Sequence, residues 1–217
     1  MNEPQLLIED WGQFTQIKDF DEKYIVSESK SNTKNLKRGL YIEGIFLQAD
    51  VVNRNRRLYP KKILERAIDQ YIKEQVDTHQ ALGELNHPAR ANVDPMQAAI
   101  MIEELWWEGS NVFGRARVIE GDKGAGDKLA SLIRAGWKPG VSSRGLGTIK
   151  DSGRGYNIVQ EGFKLTVGVD VVWGPSAPDA WVNPIEITES AIDYNKKDEV
   201  SNADYAFNKL ISNLNAL

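Results

Sequence analysis

The 217-residue chain has no cysteine and only two histidines, His79 and His87. The first absence removes disulfides, thiol catalysis and thiolate metal sites together. The second leaves few ways to build a base that works near neutral pH. Nor is there an excess of positive charge. With 27 Lys and Arg against 31 Asp and Glu, the net charge is −4, far from the basic patch or stripe of nucleic-acid-binding proteins. No apolar run approaches the roughly 20 residues of a membrane-spanning helix. The start, Met1 to Gln5, lacks the basic opening and apolar stretch of a secretory signal. These absences describe a cytosolic protein with no cofactor, no metal, no membrane partner and no specific nucleic-acid partner. What is present is 41% hydrophobic residues, enough for one sizeable domain with a core of its own.

Periodicity organises the chain into a body and two tails. Residues 1–37 read as an arm: Leu6, Leu7 and Ile8 are apolar, but Lys30 to Lys37 is polar and turn-rich. The body opens with a strand-like run, Leu40 to Leu47. Pro60 suits a first helical position, and Ile63, Leu64, Ala67, Ile68, Tyr71 and Ile72 recur on one helical face. Ala98 to Trp107 and Val112 to Val118 flank a Gly109 turn and read as a hairpin. A short helix is expected over Asp127 to Ala135, stopped at Gly136. Strands follow at Val141 to Ile149, Tyr156 to Gln160 and Leu165 to Trp173, before Gly174 to Pro178 ends regular structure. Beyond Glu189 the chain turns polar, with a weak amphipathic helix around Tyr205, Leu210 and Leu214. The basic run Asn53 to Arg57 reads as a solvated loop. The expected fold class is α+β, a barrel-like, mostly antiparallel sheet core with a few surrounding helices.

A serine hydroxyl is a poor nucleophile until a base takes its proton, and imidazole is the side chain tuned for that task. His87, in Gly83 to Pro88 (Gly-Glu-Leu-Asn-His-Pro), and the pair Ser142 and Ser143, in Gly140 to Gly147 (Gly-Val-Ser-Ser-Arg-Gly-Leu-Gly), are the candidates. If the second segment is a strand, Ser142 and Arg144 share one face, and Val141, Ser143 and Gly145 the other. That favours Ser142 as nucleophile, with the Arg144 guanidinium able to support an oxyanion. On the Leu165 strand, Asp170 opposes the apolar odd positions, and a buried carboxylate needs a partner. Asp170 is therefore the leading residue behind His87, with Glu84 and Asp94 as rivals. Glu84 and His87 also form half of a carboxylate–histidine metal site, a pattern that leaves a metal-dependent hydrolase open.

The same two segments, with Ala91 to Met96 (Ala-Asn-Val-Asp-Pro-Met) and Trp173 to Trp181 (Trp-Gly-Pro-Ser-Ala-Pro-Asp-Ala-Trp), resemble the prohead core protein proteases of T4-like bacteriophages. The likeness covers nearly the whole chain and is weakest over residues 12–38 and beyond Ser190. It implies a serine endopeptidase, distantly similar to herpesvirus assembly proteases, with His87 as base and Ser142 as nucleophile. In those enzymes the third member is a histidine, for which Asp170 is the substitute here. It implies a protein of the prohead interior in the host cytoplasm, assembled as a ring-like homo-oligomer. Its substrates would be phage scaffold core proteins and the major capsid protein, cut after Glu with Leu or Ile two residues before it. Ile187-Thr188-Glu189 followed by Ser190 matches that pattern, which implies a zymogen with a domain at 38–189 and a tail at 190–217 removed at Glu189. Leu7-Ile8-Glu9 has the right start but is followed by Asp10. Arg115, Arg117 and Lys164 are the guesses for a basic glutamate pocket. The alternative is a non-enzymatic scaffold or capsid-assembly protein that retains the fold.

Overall fold

The computed structural model describes residues 3–8 and 36–187. The Glu189–Ser190 junction, residues 9–35 of the arm and the C-terminal amphipathic segment lie outside the described residues. The chain divides into two compact units, one of residues 1–27 and 39–186 and one of residues 28–38 and 187–217. The first holds the candidate site described below.

The strands, in chain order, are β1 (Gln5–Ile8), β2 (Gly39–Gln48), β3 (Arg57–Leu58), β4 (Leu82–Glu84), β5 (Ala98–Glu108), β6 (Asn111–Val118), β7 (Gly140–Gly147), β8 (Ile149–Asp151), β9 (Asn157–Val159), β10 (Lys164–Val172) and β11 (Val182–Ile187). Helix α1 spans Lys61–Tyr71 and α2 spans Ala125–Arg134. A mostly antiparallel α+β architecture results. Among the described residues the strands form three sheets rather than the expected barrel: β11-β2-β6-β5-β4, β1-β7-β10 and the small β3-β9-β8. The long β5–β6 hairpin follows the predicted pairing, with Gly109 at φ 62° in its turn, a conformation that costs glycine no Cβ clash.

The helices carry the expected stripes. Leu64, Ala67, Ile68 and Tyr71 of α1 are buried, and Pro60 sits one residue ahead of the helix rather than at its first position. The Lys61 N–H there donates to Asp50 Oδ1, satisfying one of the donors that a helix start leaves open. In α2, the Asp127 carboxylate reaches back to the N–H groups of Gly121 and Lys123. Those two bonds hold its carboxyl below the usual carboxylate range. Gly136, at φ 92°, closes the helix as its sequence position suggested.

Two elements that looked irregular belong to the sheets. β1 pairs antiparallel with β7, from Gln5 opposite Gly147 to Ile8 opposite Arg144, and Leu7 is fully buried in the core. β11 lies beside β2, and Gly140 bridges to Trp181. The Asn53 to Arg57 run is not a solvated loop. Asn53 is buried, Arg54 Nη1 donates to the Pro175 carbonyl, and Arg57 Nη1 donates to the Ile8 carbonyl at 2.7 Å.

Candidate active site

His87 is delivered by a short segment whose residue types answer specific geometric demands. Gly83 in β4 packs so tightly against β10 that a Cβ there would collide with the Val169 carbonyl oxygen. That closeness lets Leu85 bridge to Val171 in parallel and lets the Asn86 N–H donate to the Val171 carbonyl. Asn86 then takes φ 79°, a left-handed turn that asparagine tolerates better than most residues, and the next side chain is swung onto β10.

There His87 Nδ1 lies 2.7 Å from Asp170 Oδ2, with both side chains fully buried. A carboxylate only accepts, so the imidazole carries its proton on Nδ1 and leaves Nε2 as the basic nitrogen. Asp170 also accepts the Glu84 N–H at 2.8 Å and Arg144 Nη2 at 2.9 Å, both on Oδ1. Arg144 Nε stands 2.6 Å from Oδ2 as a charge contact, its N–H off the hydrogen-bond line. Asp170 in turn faces Ser142 across the β7–β10 ladder. Directly opposed residues of an antiparallel pair project to the same face. The structure therefore brings His87, Asp170 and Ser142, distant in sequence, to one face of β7.

The rivals for the place behind His87 are engaged elsewhere. Both Glu84 carboxylate oxygens accept Arg90 Nη2 at 2.7 Å, and Oε1 also accepts the Asp94 N–H. That pairing also draws Glu84 away from the metal half-site suggested by its spacing to His87. Asp94 caps the Met96 N–H in a short turn. His79 is exposed, at φ 58°, in the turn region after α1.

Arg144 holds a different place from the one expected of an oxyanion donor: its guanidinium is 0% exposed, both Nη groups are engaged, and Nε alone makes no hydrogen bond. Nη1 donates to the carbonyls of Arg90 and Asn92, while Nη2 serves Asp170 and lies 3.4 Å from Glu84. An arginine on the nucleophile's face can as well anchor the carboxylate behind the base, and strand parity alone does not separate the two roles. Behind this network Tyr71 packs against Gly168. Burial pushes the tyrosine hydroxyl up to about 12, with the Asp170 charge adding in the same direction.

Ser142 also lines a cleft open to solvent, which residue patterning does not reveal; its other walls include Phe46, Asn53, Tyr59, Leu64, Ser143 and Ser176. The residues guessed for a basic pocket are not among them. Arg115 pairs with Glu43 and Glu104, Arg117 with Glu103, and Lys164 with Glu74.

A buried carboxylate–imidazole pair whose carboxylate faces a strand serine across the ladder has the residue types that nucleophilic hydrolysis uses. Residues 6–192 match the family model described as prohead core protein serine protease, and the chain belongs to that family. It is 70% identical over 190 residues to the prohead core protein protease of Enterobacteria phage T4, covering 88% of this chain and 89% of that protein. The solved structure of the bacteriophage T4 capsid assembly protease, gp21, matches with a TM-score of 0.68 at 67% identity, covering 80% of this chain and all of that one.

Proposed function

We propose that the chain is a serine endopeptidase of prohead maturation that cuts phage scaffold and capsid precursors after glutamate. Ser142 is the nucleophile, His87 the general base and Asp170 the residue that orients it. The observation that carries this reading is the buried 2.7 Å contact between His87 Nδ1 and Asp170 Oδ2, directly across the ladder from Ser142. In this mechanism Asp170 fixes the tautomer, and Nε2 takes the Ser142 proton as Oγ attacks the carbonyl. The imidazolium then protonates the departing amine, and water repeats the sequence on the acyl-enzyme. Arg144 acts as a positioning residue: its contacts with Asp170 hold that carboxylate in place without touching the substrate.

Processing of the chain itself belongs to the same proposal. The protease domain is residues 38–189, and the tail at 190–217 leaves by cleavage between Glu189 and Ser190. Residues 1–37 serve as a pro-segment. Support for that role comes from β1, which lies along the edge of the strand that carries Ser142, the edge an extended substrate would use.

The test is hydrolysis of a peptide containing Ile-Thr-Glu-Ser. Cleavage is expected from the parent chain, in the presence of a chelator as well, and is expected to vanish in Ser142→Ala and His87→Ala. Persistence in Ser142→Ala, or loss in chelator, would remove the serine mechanism. Intact masses of parent and Ser142→Ala test self-processing: the same cut at Glu189 in both would disprove it.

A further inference from the structure

Two segments that stand out in the sequence take no part in the proposed chemistry: the basic run Asn53 to Arg57 and the stretch Trp173 to Trp181. In the fold they grip each other. Asn53 closes the run into a tight turn, its N–H donating to the Arg57 carbonyl at 2.8 Å and its Oδ1 accepting the Arg57 N–H at 2.9 Å. The turn holds Arg54 against the other segment through two bonds. The Arg54 N–H donates to the Ser176 carbonyl at 2.9 Å, and Nη1 donates to the Pro175 carbonyl at 2.7 Å. A second grip lies at Asp179. Gln48 Nε2 donates to Asp179 Oδ2 at 3.2 Å, and Gln48 Oε1 accepts the Asp179 N–H at 3.1 Å. Between the grips the Ala180 N–H donates back to the Ala177 carbonyl, which bends the chain into a turn.

Resting on the endopeptidase reading above, we propose that Gln48 and Arg54 are positioning residues of the hydrolytic site: they clasp residues 175–179 at both ends and hold Ser176, Ala177 and Pro178 as a fixed wall beside Ser142. Those three residues and Ser142 line the same cleft. Pro175, at one end of the wall, presses on Gly140 so closely that a Cβ there would overlap its ring. Just past the other end, the Ala180 carbonyl accepts the Val141 N–H at 2.9 Å. The wall is thereby fixed to β7 immediately ahead of the nucleophile, and the clasp fixes it to the segment across the cleft. A site whose geometry is set before the substrate arrives holds the reacting groups at attack distance without further ordering. The clasp suits that task. The bond from the Arg54 guanidinium is of the stronger, charge-assisted kind. Burial lowers the pKa of that guanidinium, and the Asp179 carboxylate acts in the opposite direction. The two grips are therefore tied to each other by charge as well as to the wall by hydrogen bonds.

Hydrolysis of the Ile-Thr-Glu-Ser peptide by parent, Arg54→Met, Arg54→Lys and Gln48→Glu tests the clasp, with active sites counted by complete labelling with a serine-directed fluorophosphonate. Counting sites leaves out misfolded molecules, so a residue that acts on stability alone keeps kcat per labelled site at the parent's value. Arg54→Met is expected to lose about 100-fold in kcat per site, the cost of a misplacement of about 1 Å, while KM moves much less. Arg54→Lys still carries a donor for the Pro175 carbonyl and should recover most of that loss. Gln48→Glu keeps an acceptor for the Asp179 N–H but opposes two carboxylates, and should cost about tenfold. A parental kcat per site in Arg54→Met or in Gln48→Glu would overturn the clasp, and so would an Arg54→Lys no better than Arg54→Met. If Arg54→Met does not fold, Gln48→Glu decides by the same measure. A parent that cuts no peptide removes the endopeptidase reading, and the clasp's part in it.

Discussion

The two faces of β7 have different neighbours and meet different demands. One carries Ser142 and Arg144 beside Asp170, and its polar atoms are tied into a buried network of charges. The other carries Val141, Ser143 and Gly145, with aromatic and aliphatic neighbours, and the cleft takes wall residues from both, Ser142 as well as Val141 and Ser143. At Gly145 the Phe163 ring presses so close that a Cβ would overlap it. A fixed carboxylate–imidazole pair needs rigidity, and opposed charges in a dry environment supply it. A cleft needs room, and small or uncharged groups supply that. Alternation along a single strand keeps the two demands apart within four residues.

The contrast can be broken most severely at Asp170. Asp170→Asn should lower kcat about 10⁴-fold, because the amide can present its NH2 to His87 and favour the wrong tautomer. Steady-state peptide hydrolysis measures it, and a loss below about tenfold would mean the pair is only structural. Next in size is Arg144→Met. Leaving Asp170 and Glu84 without their buried cation should destabilise the fold by about 3–5 kcal/mol, seen as a lower denaturation midpoint. An unchanged midpoint would show the network to be dispensable. The smallest effect is expected at Tyr71→Phe, about 1 kcal/mol at neutral pH.

Tyr71 also gives a pH signature. Its folded value near 12 exceeds the unfolded value near 10. The associated stability is therefore complete below about pH 10 and is lost as pH rises toward 12, about 2–3 kcal/mol in all. Alkaline unfolding curves of parent and Tyr71→Phe should diverge in that window, with the variant flatter. Parallel curves would mean that the buried hydroxyl is not the group responsible.

How much of this could be read from residues alone follows from what each signal measures. Periodicity located both helices, the β5–β6 hairpin, β7 and β10, because a long element repeats its own pattern. It missed β3 and β4, of two and three residues, which are too short to alternate. It passed over β1 and β11 because their pairing is set by distant partners. Parity favoured Ser142 and Asp170, since strand direction fixes the face. It could not tell an oxyanion donor from an anchor at Arg144, which depends on where the Arg90 and Asn92 carbonyls fold to. Nor could it find the cleft, whose walls come from residues 46 to 64, 141 to 143 and 176 to 178. The charge of the Asn53 to Arg57 run suggested water, but backbone carbonyls of Ile8 and Pro175 took its guanidinium groups instead.

β1 has one more consequence. A sheet edge able to take up a foreign peptide is equally able to take up the same edge of another copy, the route by which β-proteins stick together. The four residues from Gln5 to Ile8 fill much of that edge of β7, and they turn a potential adhesive into a finished border. Removing residues 1–8 would reopen it. Light scattering that climbs with concentration in the shortened chain, and stays flat in the intact one, is the expected mark of that lost colloidal protection.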